Sequence, residues 1–256
     1  MGVPCIWVYE SSIADNVALN GSGGGIQATS LNTNSFYGCT ISGNTCSGWG
    51  GGMYFYTAVT GIIVNCTVVS NVARGAVDLY SGGGGVNAYF AGTGSGLAIR
   101  NSTIAGNSIS NGVGGGVYQY GTLDIESTII AGNVAASGNG QDYRNRAGSF
   151  TERYNILGNN AESGWTAGQP NANNSYVGTS ALPINPGLLP LANNGGRTWT
   201  CAIGFDSPAM DRGSNPLGLT TDQRGVYYSR TKHGRADIGA FELGAGPAKG
   251  TVVTFR

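Results

Sequence analysis

The sequence predicts an all-β fold: a right-handed parallel β-helix, or solenoid, whose short strands stack into rungs and end in an irregular C-terminal cap. Two recurring phrases support this prediction, Thr-Ile-x-Gly-Asn and a Gly-Gly-Gly-apolar step that follows some residues later. No helical pattern of apolar residues interrupts them. A period in the twenties with short strands is typical of solenoids, in which each repeat buries its apolar face against its neighbours.

The first element of each repeat is a short strand that ends at an asparagine. Consecutive asparagines are separated by 28, 27, 36 and 26 residues. Asparagine tolerates the left-handed geometry of a tight turn, and stacked amides form hydrogen-bonded ladders. The asparagines are Asn16, Asn44, Asn71, Asn107 and Asn133, and the residues expected to point inward before them are Ile13, Ile41, Val68, Ile104 and Ile130.

The second element is the glycine step, which occurs at residues 23–26, 50–53, 82–86 and 114–117. Because glycine has no Cβ atom, it lets the coil bend sharply at these positions. We expect a strand after each step. The segment between the asparagine and the step varies in length, and we interpret it as a loop.

A third strand completes each rung, as in residues 97–100 and 123–126. Its apolar residues alternate with other residues, which places leucine and isoleucine on the core face. Successive copies stack on neighbouring rungs. We therefore expect Arg100 to lie beside Glu126 as a surface ion pair, an interaction worth about 0–1 kcal/mol.

The regular rhythm breaks after Asp142, and this divides the chain. We assign the β-helix rungs to residues 1–142 and an irregular extension with the last rungs to 143–180. Residues 181–244 are interpreted as the C-terminal cap, and 245–256 as a hinge and a terminal strand.

The cap holds a set of charged residues that suggests a buried salt-bridge network. An acid–base site or a calcium site is the alternative interpretation, since carboxylates serve both purposes. The network interpretation is favoured because the motifs that carry these residues resemble those of a known domain, and the resemblance implies that they serve folding. The set consists of Asp211, Asp222, Arg224, Arg235, Asp237 and Glu242.

The tail resembles the domain called choice-of-anchor Q, through Thr-Asp-Gln-Arg-Gly at 221–225 and Asp-Ile-Gly-Ala-Phe-Glu at 237–242. The motifs at 185–191, 194–196 and 207–213 match the same pattern, whereas Cys201 stands where the pattern often has histidine. The rungs are similar to the repeats of polymorphic outer-membrane proteins. The resemblance implies a bacterial secreted or surface protein with this fold, and it implies no single activity.

Composition narrows the classes of partner. The formal net charge is zero and only 10% of the residues are charged, so a nucleic-acid partner is not expected, because phosphate binding needs a basic face. No run of 18 apolar residues occurs, and we predict no membrane span. The first residues do not read as a signal peptide. We expect an extracellular or cell-surface location, with the leader or upstream rungs outside this chain.

Cysteine spacing predicts no metal site. The five cysteines cannot all pair within one chain, and no cysteine or histidine spacing suggests zinc. Cys39 and Cys66 occupy the same repeat position and should stack on adjacent rungs. A reduced pair facing the core is favoured over a disulfide, because side-by-side Cβ vectors are poor for bridging. We predict no metal and no cofactor.

The rungs give little support to an enzyme, which would need several acids or bases on one exposed face of the coil. Asp124 aligns with Ala98, so the acids form no ladder, and the only histidine is His233 in the tail. We assign no catalytic residue. A polysaccharide lyase or hydrolase, or a carbohydrate-binding module, is the alternative function.

Tyrosines recur after the glycine steps at two repeat positions. If they point outward, they form an aromatic strip on which sugar rings can stack. The alternative, which we favour, is a ladder of rings that stabilises neighbouring rungs. The carbohydrate-binding candidates are Tyr54, Tyr56, Tyr89, Tyr118 and Tyr120.

The two termini suggest self-assembly. An uncapped first rung exposes strand edges, and a tail strand from another subunit can extend such an edge. We therefore predict a non-enzymatic, structural or adhesive protein that assembles through its open ends into head-to-tail oligomers or filaments. The assembly candidates are Ile6, Trp7, Val8, Tyr9, Val252, Val253 and Phe255.

Overall fold

The computed structural model describes residues 5–29, 33–56, 60–75, 82–91 and 94–246. These residues contain no helix, and their parallel strands coil into a solenoid of about 5 turns. The predicted fold class is therefore confirmed. Among the described residues there is no long apolar helix of the kind that crosses a membrane.

The strands, in chain order, are β1 (Ile6–Tyr9), β2 (Ser12–Ala14), β3 (Val17–Ala18), β4 (Ile26–Ala28), β5 (Thr33–Tyr37), β6 (Thr40–Ser42), β7 (Thr45–Cys46), β8 (Met53–Tyr56), β9 (Thr60–Val64), β10 (Thr67–Val69), β11 (Val72–Ala73), β12 (Val86–Tyr89), β13 (Gly96–Arg100), β14 (Thr103–Ala105), β15 (Ser108–Ile109), β16 (Val117–Tyr120), β17 (Leu123–Glu126), β18 (Ile129–Ala131), β19 (Val134–Ala135), β20 (Tyr143–Ala147), β21 (Phe150–Arg153), β22 (Ile156–Leu157), β23 (Tyr176–Val177), β24 (Leu188–Ala192) and β25 (Thr200–Ile203).

Each rung contributes one strand to each of four parallel sheets. Sheet A contains β1, β5, β9, β13, β17 and β21, and sheet B contains β2, β6, β10, β14, β18, β22 and β23. Sheet C contains β3, β7, β11, β15 and β19, and sheet D contains β4, β8, β12, β16 and β20. The first rung is thus β1 to β4, and the fifth is β17 to β20. The separate pair β24 and β25 is antiparallel.

The expected asparagine ladder runs along the corner between sheets B and C. The backbone N–H and the side-chain amide of Asn44 both donate to Oδ1 of Asn71, at 3.0 and 2.9 Å. The same pattern joins every successive pair from Asn16 to Asn133. The isoleucine or valine before each asparagine from the second rung onward is buried in the core, as predicted.

The ladder ends at a residue that the repeat does not contain. Asn133 donates its backbone and side-chain N–H groups to Oδ1 of Asp142, at 2.8 and 2.9 Å. The other carboxylate oxygen accepts the backbone N–H of Asn159 at 2.8 Å. An amide cannot accept from both sides, because its nitrogen only donates. A carboxylate is therefore suited to terminate the ladder.

The glycine steps form the corner between sheets C and D. Gly50 has a φ of 64°, a left-handed conformation that side chains rarely adopt. A Cβ atom on Gly51 would lie 2.4 Å from the carbonyl oxygen of Gly84 on the next rung. Rungs at the normal strand spacing therefore require glycine here.

Each rung has four strands rather than the three predicted. The segment interpreted as a variable loop begins with a two-residue strand of sheet C in every rung. Its second residue points inward and forms a small separate core. These residues are Ala18, Cys46, Ala73, Ile109 and Ala135.

The ion pair predicted at Arg100 is corrected by the structure. Arg100 is in register with Glu126, as expected. Its guanidinium, however, bonds the carboxylate and the carbonyl oxygen of Asp124, and Glu126 pairs with Arg153 at 2.8 Å. The repeat fixes the register of the strands, but Arg100 contacts a diagonal neighbour, whereas Glu126 contacts Arg153, its register partner on the following strand.

The stacked cysteines are present and are not bridged. Cys39 and Cys66 are buried free thiols on adjacent rungs, and the backbone N–H of Cys39 lies 3.3 Å from Sγ of Cys66. The same corner position holds Ser102 and then Thr128 on later rungs, where side-chain oxygens accept the N–H of the rung before. The pair is one part of a second ladder at the corner between sheets A and B.

The end of the coil beyond the fifth rung is closed. Trp165 is buried on the core, with its ring centroid 5.4 Å from that of Tyr143 and 6.2 Å from that of Phe150. Glu152 occupies the core position of Ile125 and accepts hydrogen bonds from the loop at 171–175. An inward carboxylate thus anchors the loop that seals this end.

Residues 184–246 form the irregular C-terminal segment, and we call it the strap. It does not sit on an end of the coil. Instead it lies lengthwise along sheet B and the corner with sheet A, from Ser127 on the fifth rung to Glu10 on the first. Its apolar side chains pack on the outer face of sheet B. The segment assigned as a cap from the sequence therefore covers a side of the coil.

Candidate functional site

The charged residues singled out in the tail all belong to the strap, where Asp222, Arg224, Asp237 and Glu242 are buried and Arg235 is exposed. Asp222 pairs with Arg224 at 2.6 Å, and both are buried. The Arg224 guanidinium also lies 3.8 Å from the ring centroid of Phe241. Arg235 bonds the carbonyl of Gly213 at 2.9 Å. These contacts hold segments of the strap to one another.

Sequence reasoning missed the central cation of this network. Arg230 is fully buried and pairs with the fully buried Glu242 at 3.0 Å. It also donates to the carbonyl oxygens of Gly239 and Asp237, at 2.9 and 3.1 Å. Arg230 lies outside the motifs of the tail, so no signal in a single sequence distinguished it from the other arginines.

Asp211, Asp237 and Glu242 place carboxylate oxygens within 4.8 Å of one another. Burial raises the pKa of Glu242 to about 7 and raises that of Asp237 above its usual value. The oxygens of Asp237 accept backbone N–H groups of Asp211 and Leu243. Those of Glu242 accept from Arg230, Lys232 and Asp237.

Protein donors therefore already satisfy the two buried carboxylates of this cluster. Such satisfaction is what a carboxylate needs to remain buried in a loop-rich segment. The cluster is accounted for by its role in holding the strap, and we assign it no ion.

The structure separates the five tyrosines into two groups. Tyr56, Tyr89 and Tyr120 stack, with ring centroids 5.4 and 4.8 Å apart, and Tyr56 is 39% exposed. Tyr54 and Tyr118 are buried, at 5% and 0% exposure. Tyr54 lies under Trp49, and Gly82 lies over the ring of Tyr118.

Two of the five carbohydrate-binding candidates are therefore corrected. Tyr54 and Tyr118 point away from the core but are covered by neighbouring residues. The other three offer mainly ring edges, because their faces are turned to one another. This is the ring ladder that the sequence favoured over a sugar platform.

The assembly candidates of the first rung are open to solvent. Trp7 is 66% exposed, Tyr9 51% and Ile6 37%, while Val8 is half-buried. Each first-rung strand lies at the edge of its sheet. The other assembly candidates, Val252, Val253 and Phe255, lie outside the described residues.

A trough lies beside the first rung on the outer face of sheet B, with a volume of about 440 Å³. The strands of the first three rungs form its floor, and the hairpin of β24 and β25 forms one wall. Trp199 in that wall is 52% exposed. The lining residues are Ser12, Ala14, Asp15, Thr40, Ser42, Gly43, Ser70, Leu191 and Trp199.

On the described faces of the coil, the clustered charges are engaged with one another. Arg100 and Arg153 both contact Asp124. Burial raises the pKa of Asp124, but the hydrogen bond from Thr151 and the charges of these two arginines outweigh it, so the pKa lies below its usual value. Arg144 pairs with Glu162 at the closed end. A hydrolytic pair needs two carboxylates that face a common open space with different pKa values. We find no such pair among the described residues.

Comparison of the chain with protein-family models, with curated proteins and with solved structures gives no match.

Proposed function

We propose that this protein is a non-enzymatic structural or adhesive element of the cell surface or extracellular space, and that it associates with a second copy through its first rung. The observation that carries the proposal is the contrast between the two ends of the coil. One end is sealed by Trp165 and its loop, and the other exposes four strand edges together with an apolar core.

The first rung has the properties of a self-association surface. Unpaired strand edges are templates for strand pairing. The partly exposed core residues Val8, Ile13 and Ile26 would gain burial against an apolar partner. Aromatic residues such as Trp7 and Tyr9 are enriched in protein interfaces.

The sealed end supports a two-fold association over a head-to-tail one. Growth of a head-to-tail filament requires complementary surfaces at opposite ends of the subunit. Here one end offers open edges, and the other offers a loop with a buried tryptophan. We therefore infer an isologous pair joined first rung to first rung, in which growth stops at two copies.

Sedimentation velocity across a wide range of concentrations tests this proposal, using the full chain and two charge variants. Trp7→Arg places a cation on the first rung and should weaken the pair roughly tenfold or more, the effect of losing an interface hot spot. Phe205→Arg is the matched control, because Phe205 is 81% exposed and closely follows Ile203, which packs in one cluster with Ile129 and Ile156 near the closed end.

The expected result is a concentration-dependent dimer in the wild type and in the Phe205→Arg variant. A monomer at every concentration would refute the proposal. Species that keep growing with concentration would refute the two-fold symmetry and favour head-to-tail assembly.

A further inference from the structure

The trough on sheet B marks the part of this sheet that the strap leaves open. On the later rungs, the outward residues Ile129, Ala131 and Ile156 are buried under the strap. On the first two rungs the outward side chains are small, and the hydroxyl-bearing Ser12 is exposed while Ser42 is half-buried. The chemistry of the sheet thus changes from apolar to hydroxyl-bearing where its cover ends.

The polar groups in the trough are free to bind a ligand. Within the described part of the chain, the side chains of Ser12, Asp15, Ser42 and Ser70 make no hydrogen bond to the protein. They line one face on successive rungs, which are spaced by about 4.8 Å. The arrangement is a row of donors and acceptors without partners.

The aromatic wall of the trough is held in place. The carbonyl oxygen of Trp199 accepts hydrogen bonds from Oγ1 of Thr40 at 2.5 Å and from Nε2 of Gln223 at 3.1 Å. Gln223 itself is buried and bonds Thr40 and the carbonyl of Cys39. The backbone that carries the indole is therefore fixed to the coil, while half of the side chain faces solvent.

The single charged side chain in the trough is a carboxylate, which disfavours the binding of an anionic ligand. The lining of the trough contains one carboxylate, Asp15, and no lysine, arginine or histidine. A ring that offers an apolar face and many hydroxyls matches one indole plane beside a row of hydroxyls and a carboxylate. The volume lies within the range of small-molecule sites.

We propose that this trough binds a short stretch of a neutral saccharide, with one pyranose ring stacked on Trp199 and its hydroxyls bonded to Asp15 and the serines of sheet B. The site is distinct from the tyrosine strip. It includes β2 of the first rung but none of the assembly candidates on β1. It goes beyond the proposed function, since a protein that pairs through its first rung can also hold a polysaccharide on its side.

Isothermal titration with neutral hexasaccharides of β-1,4-linked glucose, xylose and mannose and of α-1,4-linked glucose tests the proposal. At least one should bind, and Trp199→Ala should weaken that binding roughly tenfold or more, as expected for loss of a stacking aromatic. Hexagalacturonate should bind more weakly than its neutral counterparts because of Asp15. Asp15→Asn should reduce that discrimination.

The matched control is Trp7→Ala, which removes an exposed tryptophan from the first rung. Saccharide binding should survive this change even where association of two copies does not, so the two proposals fail independently. A circular dichroism spectrum and an unfolding curve like those of the wild type establish that Trp199→Ala is folded.

Three results would overturn the inference. The first is that none of the four neutral hexasaccharides binds at millimolar concentration. The second is that saccharide binding is unchanged in folded Trp199→Ala. The third is that saccharide binds only to a chain truncated after Gly246. That result would identify residues 247–256 as the natural occupant of the trough.

Discussion

The two ends of the coil are built from the same repeat and are finished in opposite ways. At the closed end Trp165 is 3% exposed, and Asp142 terminates the asparagine ladder. At the first rung Trp7 is 66% exposed, and the ladder begins at the exposed Asn16. A repeat specifies what lies between rungs, whereas each end needs residues that the repeat lacks.

The direction of the ladder explains part of this difference. Each asparagine before the last donates its backbone and side-chain N–H groups to Oδ1 of the next asparagine toward the closed end, and from Asn44 onward the amide also donates to a carbonyl of the rung before. The last member of the ladder therefore needs an acceptor beyond it. Asp142 accepts from Asn133 and from Asn159 on opposite sides. At the closed end an aspartate, Asp142, takes the place of the next asparagine. At the first rung the ladder begins with an ordinary asparagine of the repeat, Asn16.

The largest difference between the two ends is expected in the free energy of unfolding when the tryptophan at each end is replaced by alanine. Trp165→Ala removes a large ring from a sealed core and should lower the free energy of unfolding by about 3–5 kcal/mol. Trp7→Ala removes a ring that is mostly in water and should change the stability of the monomer by less than about 0.5 kcal/mol. Urea unfolding at a concentration where the protein is monomeric measures both.

Equal losses from the two substitutions would contradict this account. They would mean that the first rung is covered in solution or that the loop around Trp165 contributes little to closure.

The second prediction concerns pH and the end of the ladder. Burial raises the pKa of Asp142 from 3.8 to about 6. A raised carboxyl pKa gives stability that is fully present below the unfolded value and is lost as pH rises through the folded value. The free energy of unfolding of the wild type should therefore fall, relative to Asp142→Asn, by about 3 kcal/mol between about pH 4 and pH 7.

Urea unfolding of both proteins over this pH range measures the difference. Asp142→Asn stays uncharged and is isosteric, so it cancels the other titrating groups of the chain, Glu242 included. Parallel pH profiles for the two proteins would show that the Asp142 carboxyl keeps its ordinary pKa, and they would contradict this prediction.

A smaller effect should distinguish members within the ladder. Asn71→Ala leaves the amide donors of Asn44 and the carbonyl of Ile41 without partners in a buried corner. This should lower the free energy of unfolding by about 1–3 kcal/mol. Asn16→Ala, at the exposed start of the ladder, should cost less than about 0.5 kcal/mol. A thermal or urea unfolding series provides the comparison, and similar losses at both positions would indicate that the ladder contributes uniformly.

The sequence predicted those features of the coil that repeat at every rung. The asparagine and glycine positions could be found because each rung places the same residue where one backbone geometry is required. The strands of sheet C were missed because two residues, such as Val72 and Ala73, are too short to show an alternation.

Features that depend on contacts between distant segments were not predictable. Tyr54 and Tyr56 both point outward, and only the placement of Trp49 decides that Tyr54 is covered. The trough joins Asp15 to Trp199 through the path of the strap along sheet B. An irregular segment carries no period from which that path can be derived, which is also why the cap expected on an end lies along a side.

The central claim, a pair joined through first rungs and closed at its outer ends, is tested most directly by distances between spin labels in the associated protein. One sample carries a label on exposed Cys5 beside the first rung, and the other on Ala172→Cys at the closed end, in a Cys5→Ser background. Six strands at about 4.8 Å make each coil about 24 Å long. The account predicts that the Ala172 labels lie about 50 Å further apart than the Cys5 labels. Similar distances at the two positions, or a shorter distance at Ala172, would contradict it.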